Sequence, residues 1–147
     1  MADAGELASR YRDAIQKVLG LVATIDSDFD VMFKHPDVGT FYFQVDAEKD
    51  PEFMRLVFYR FADRESSGLE RAQLLEIVNH TNEATKAAKL WIHDGDEGTV
   101  SAAIECFLAG PDQMPASELL ELIVDRVVAS IRWAVDAFRE EVESVKR

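Results

Sequence analysis

The sequence predicts an α+β domain, an αβββαββα two-layer sandwich in which helices lie on a mostly antiparallel five-stranded sheet. Three observations predict it. Apolar residues alternate with a period of two in five separate stretches. Three other stretches carry the 3.6-residue period of amphipathic helices. The strands come in consecutive runs of three and two with a helix between, an order that favours an antiparallel sheet over βαβ units. At 147 residues the chain can bury enough surface to fold without metal or disulfide. No repeat or low-complexity linker divides it, so residues 1–147 are read as a single domain.

The first helix is expected from about Ala4 to Leu21, because Leu7, Tyr11, Ala14, Ile15, Val18 and Val22 recur at helical spacing. Phe29, Val31 and Phe33 then form one strand face, with Asp28, Asp30 and Lys34 between them except at Met32, and Pro36 and Gly39 punctuate a turn. Phe41, Phe43 and Val45 make the second strand. Phe53–Ala62 makes the third, with Leu56 and Phe58 on one face and Val57, Tyr59 and Phe61 on the other. Apolar groups on both faces place this strand centrally, covered on each side. Asp63 to Gly68 reads as a loop, and Leu74, Leu75, Val78 and Thr85 mark a middle helix over about Leu69–Thr85. Ala88, Leu90 and Ile92 alternate as strand four, and strand five follows over Thr99–Leu108. The Asp94-Gly95-Asp96-Glu97-Gly98 segment joins them as a hairpin. The closing helix, about Ala116 to Val145, steps by three and four without a break. At 1.5 Å per residue it would be roughly 45 Å long, so its last turns, Phe138–Arg147, are expected to project or to meet a second subunit.

A formal net charge of −12 repels phosphate backbones and anionic headgroups, which argues against nucleic-acid and membrane binding. It also keeps a small protein in solution. No apolar run approaches the roughly 20 residues that cross a bilayer, the N-terminus lacks a secretory pattern, and the single cysteine, Cys106, forms no internal disulfide. Together these predict a cytoplasmic protein.

Little catalytic chemistry is legible. Asp26, Asp28, Asp30 and Asp37 imitate a calcium loop, but Val31 stands where the loop needs glycine. Cys106 lies roughly 20 Å along the hairpin from His93, too far for a base to reach a thiol. His80 has no second ligand at helical spacing, and no zinc, nucleophile-elbow or phosphate-loop motif occurs. No cofactor or metal is therefore expected. Asn79 and Asn82 project from one face of the middle helix and are expected to meet a neighbouring strand or a second subunit. Trp91 shares a strand face with Lys89 and His93; Tyr59 and Phe61 are expected to sit away from the first and last helices. Either a binding face or burial under the middle helix would account for these aromatics. Asn79, Asn82, Trp91, Tyr59 and Phe61 are the candidate protein-binding residues.

Four stretches carry a wider likeness: Asp28-Phe29-Asp30-Val31-Met32-Phe33, Ile77-Val78-Asn79-His80-Thr81-Asn82, Lys89-Leu90-Trp91-Ile92 with its Asp94-Gly95-Asp96 turn, and the Ser117-Glu118-Leu119-Leu120 helix start. With these motifs the chain resembles the YbjN-like family of bacterial sensory-transduction regulators, which shares its fold with type III secretion chaperones. The resemblance implies an αβββαββα fold, a homodimer and binding to another polypeptide, and it implies no catalytic residues. The expected function is a non-enzymatic, chaperone-like or regulatory protein-binding module. The competing expectation is a small-molecule-binding domain or weak hydrolase with a pocket between the sheet and the middle helix.

Overall fold

The computed structural model describes residues 3–147. In chain order the elements are α1 (Ala4–Leu19), β1 (Ala23–Ile25), β2 (Val31–His35), β3 (Gly39–Phe43), β4 (Phe53–Ala62), α2 (Arg64–Ser67), α3 (Arg71–Ala84), β5 (Lys89–Ile92), β6 (Val100–Phe107) and α4 (Ser117–Lys146). The six strands form one sheet in the order β1-β2-β3-β4-β6-β5. β1–β2, β2–β3, β3–β4 and β5–β6 pair antiparallel. The α+β class and the antiparallel sheet agree with the sequence; the strand count is six where five were expected. Two compact units share the chain. One holds the described residues up to Val57 with Ile104–Val128, the other Phe58–Ala103 with Ala129–Arg147.

In the first unit, α1 begins where the Asp3 carboxylate accepts the Glu6 N–H at 3.0 Å. Its buried stripe is Leu7, Ala8, Tyr11, Ala14 and Ile15. Gly20 ends it in the left-handed conformation at φ 67°, two residues earlier than the apolar period suggested. Ala23–Ile25 can then extend and pair with β2 (Ala23↔Phe33, Ile25↔Val31). This is the sixth strand. Phe29 is a second correction. It lies outside β2 at φ 65°, 43% exposed, and does not share a face with Val31 and Phe33. A compact turn takes its place, in which the Asp26 carboxylate accepts the N–H groups of Asp28 and Asp30 at 2.9 and 3.0 Å.

Burial over β2 and β3 is one-sided, while β4 buries both Leu56 and Val57, on opposite faces. Val31, Phe33, Phe41, Phe43, Met54 and Leu56 are buried, while Met32 and Lys34 between them are exposed. The aromatic groups stack in series: Phe33 on Phe41 at 5.3 Å, Phe33 on Phe43 at 6.1 Å, and Phe43 against Tyr11 of α1 at 4.8 Å. Each such ring contributes about 1.5–3 kcal/mol of burial. α4 adds Leu120, Val124 and Val128 to the buried set, and Lys17 reaches Glu121 at 3.0 Å.

Tyr11 is fully buried, and no described group bonds its hydroxyl. Burial pushes its pKa up, so the folded chain holds the neutral phenol. A raised pKa means that the unfolded chain loses this proton first as pH rises, and stability falls above about pH 10. Tyr11→Phe should flatten that alkaline decline while costing nothing at neutral pH. Urea titrations at pH 8 and at about pH 11 check this; an identical alkaline slope in both proteins would refute it.

In the second unit, Asp63 and Ser66 cap each other's backbone to start α2, and Gly68 ends it at φ 71°. A single helical turn thus stands where a loop was expected. α3 buries Leu74, Ile77, Val78 and Thr81. β5 and β6 form the expected hairpin in the register Lys89↔Ala103 to Ile92↔Val100.

Arg60 corrects the face assignment of β4. It sits at φ 53°, its N–H donating to Ser101 Oγ at 2.8 Å. A left-handed residue inside a strand resets the alternation. Phe61 therefore leaves Tyr59's face and stacks on Phe58 at 5.9 Å, with its ring edge-on to Phe138 of α4 at 5.3 Å. It does not sit away from the last helix as expected. Phe138 and Val142 are buried, so α4 is held in packing through Val142, and the run of residues without a buried member is confined to 143–147. The long projecting end expected from helix length is absent.

Candidate functional site

Asn82 is placed by α3 against the outer edge of β5. Its Nδ2 donates to the Leu90 carbonyl at 3.0 Å and its Oδ1 accepts the Leu90 N–H at 2.8 Å. One side-chain amide thus does what the backbone of a seventh strand would do. Of the two expected neighbours, it meets the strand. Asn79, three residues earlier, is exposed on α3. His80 beside it lies 3.6 Å from Glu141 of α4.

Trp91 is half-buried on the face it shares with Lys89 and His93. Its ring centroid lies 5.5 Å from His93, and the Lys89 ammonium stands 5.9 Å from it, within cation–π range. Across the hairpin it faces Ser101. Ser101, fully buried, was missed by sequence reasoning: its Oγ lies 2.7 Å from His93 Nε2 and also accepts the Arg60 N–H. A serine–histidine contact invites a nucleophile reading, but an oxygen without solvent access and already bonded twice is a pin between β4, β5 and β6. Counting back from a turn closed at His93 and Thr99 would have set Ser101 opposite Trp91 and diagonally across from His93. Tyr59 is half-buried on β4. The five candidates are therefore not one cluster: Phe61 points to α4, Asn82 to the sheet edge and Trp91 to the hairpin face.

An apolar cleft of about 340 Å³ in the second unit is lined by Phe61, Ala62, Phe138 and Val142, with Arg139 and Glu143 beside them. It lies against α2 and α4, and none of its lining residues belongs to the middle helix α3.

In the first unit the unburied sheet face carries Phe53 and Phe107 in an edge-to-face pair at 5.2 Å, with Phe107 72% exposed. Arg55 separates this pair from the rest of the face, bonded to Gln44 and paired with Glu105 at 3.3 Å. Two adjoining clefts of about 400 and 380 Å³ share Val45 and Asp46. The first reaches Phe29, Asp28, Asp30 and Glu48, the second Asp50, Phe53 and Arg55. Burial, then the charges of Asp26 and Asp28, raise the Asp30 pKa against one hydrogen bond from Val45. In this turn Asp26 accepts two backbone N–H groups, and among the described residues no three metal-ligating side chains converge. Cys106 lies on β6 with its thiol pKa raised by burial, which suppresses the thiolate. Among the described residues no helix is long and apolar enough to cross a membrane.

No protein-family model matches the chain, and no curated protein matches it. Among solved structures, a chain of the HopA1-SchA chaperone–effector complex superposes with a TM-score of 0.59 at 13% identity, covering 95% of this chain and 99% of that one. An uncharacterized protein from Methanothermobacter thermautotrophicus superposes with a TM-score of 0.53 at 14% identity, over 92% and 96% of the two chains. The likeness extends over nearly the whole of each chain, and at such identities it speaks for architecture alone: the fold is α+β and chaperone-like.

Proposed function

We propose that this chain is a YbjN-like, non-enzymatic protein-binding module, chaperone-like or regulatory, that works as a homodimer and as one domain. The observation that carries the reading is the set of large apolar side chains left in water by a fold that buries the rest. Val22, Phe107 on the sheet face and Leu122 on α4 are 78%, 72% and 74% exposed in the first unit, and Trp133 is exposed in the second. Such groups are retained where another polypeptide covers them. The chaperone-like architecture supports the reading, since the HopA1-SchA structure is a complex of two proteins.

Light scattering on the purified chain tests the dimer. The expected mass is twice the 16.5 kDa of one chain, and a mass of one chain at every concentration would remove the symmetric part of the reading. Quantitative pull-down tests the rest, with a stoichiometric protein partner as the expected result. The cleft lined by Phe61 and Phe138 favours the small-molecule alternative, which melting shifts with a low-molecular-weight ligand, and no protein partner, would establish.

A further inference from the structure

We propose that the Phe107 end of the first unit's open sheet face, continued through the two clefts that meet at Val45 and Asp46, docks a basic polypeptide segment carrying apolar anchors. The inference rests on the protein-binding reading and adds to it the surface and the chemistry of the partner.

The apolar part comes first. Phe107 packs on Phe53 with one ring edge and leaves most of itself in water. Phe29, at the far end of the same run of clefts, is also exposed, on a backbone conformation that bulky residues rarely adopt. Phe29 lines one cleft and Phe107 packs on Phe53, which lines the other, so two exposed rings flank the adjoining clefts and can receive two apolar side chains of one segment.

Charge selects the occupant. Asp28, Asp30, Asp46, Glu48 and Asp50 line the clefts between the two rings. The cations there are Lys49 and Arg55, and Arg55 is engaged by Glu105 and Gln44. Among the described residues no cation pairs with any of the five carboxylates. A second copy would bring the same carboxylates and a further charge of −12 to this surface. Lysine and arginine side chains relieve the crowding instead, and their screening by salt becomes the signature of the contact.

The test titrates the full chain with a labelled synthetic peptide of alternating lysine and leucine, and with its glutamate–leucine counterpart. The lysine peptide is expected to bind, to weaken by about tenfold or more between roughly 50 and 500 mM salt, and to lose about tenfold on Phe107→Ser or on Glu48→Gln combined with Asp50→Asn. Phe107 and Glu48 are exposed and Asp50 is half-buried, and thermal melting confirms that each variant folds. Equal binding of the glutamate peptide, or no binding of either, overturns the proposal. Unchanged affinity in Phe107→Ser overturns it too, leaving protein binding to stand elsewhere on the chain. If Phe107→Ser instead converts a dimer to a monomer with peptide affinity intact, the occupant is a second copy and the proposal falls.

Discussion

Phe138→Ala is expected to lower the unfolding free energy by about 3–5 kcal/mol, the largest effect of any single truncation in the second unit. Phe138 is fully buried on α4, and its ring stands edge-on to Phe61 at 5.3 Å. Truncation removes burial and leaves a void beside an existing apolar cleft. Phe61→Ala should cost less, because Phe61 is only half-buried. The double variant should fall short of the sum, since each ring is part of the other's environment. Urea unfolding of the three variants measures all of this. A Phe138→Ala loss below about 1 kcal/mol would mean that the last turns of α4 are not seated as described.

Asn82→Leu should cost about 1–3 kcal/mol and should increase self-association. The amide supplies both a donor and an acceptor to Leu90, the residue it guards on edge strand β5. Leucine supplies neither, so a peptide group is left to water or to a strand from another molecule. Asn82→Asp separates the two bonds, because a carboxylate still accepts the Leu90 N–H but has no proton for the carbonyl. Its loss should be intermediate. Melting temperature and sedimentation velocity report the two halves of the prediction, and no change in either for Asn82→Leu would count against it.

Long periodic segments were legible in the sequence. The unbroken stripe of α4, the ten residues of β4 and the β5–β6 hairpin each carry enough repeats for burial to write its period into the residues. Shorter features were not. β1 has three residues, too few for alternation to be distinguished from the end of a helical stripe, and its cue was Gly20 alone. α2 is one turn whose signal was the Asp63–Ser66 pair and not apolar spacing. Phe29 and Phe61 were misplaced for one shared reason: a strand face was extrapolated through a residue whose backbone breaks the alternation. At Phe61 that residue was Arg60, and side-chain identity says little about a left-handed arginine. Of the candidate residues, Asn82 was singled out by its polarity on an amphipathic helix, and polarity in the wrong place is what a side chain serving a backbone looks like. Ser101 was missed because a small polar residue within a strand has no period of its own.

The sheet ends differently in each unit, and both endings limit growth. β1 offers a lattice of neighbours three residues of peptide, and Asn82 already occupies Leu90 on β5. Fibril-like stacking, in which strand is added to strand without limit, has little template at either border. Assembly is thereby steered to side-chain surfaces, which saturate at a defined stoichiometry.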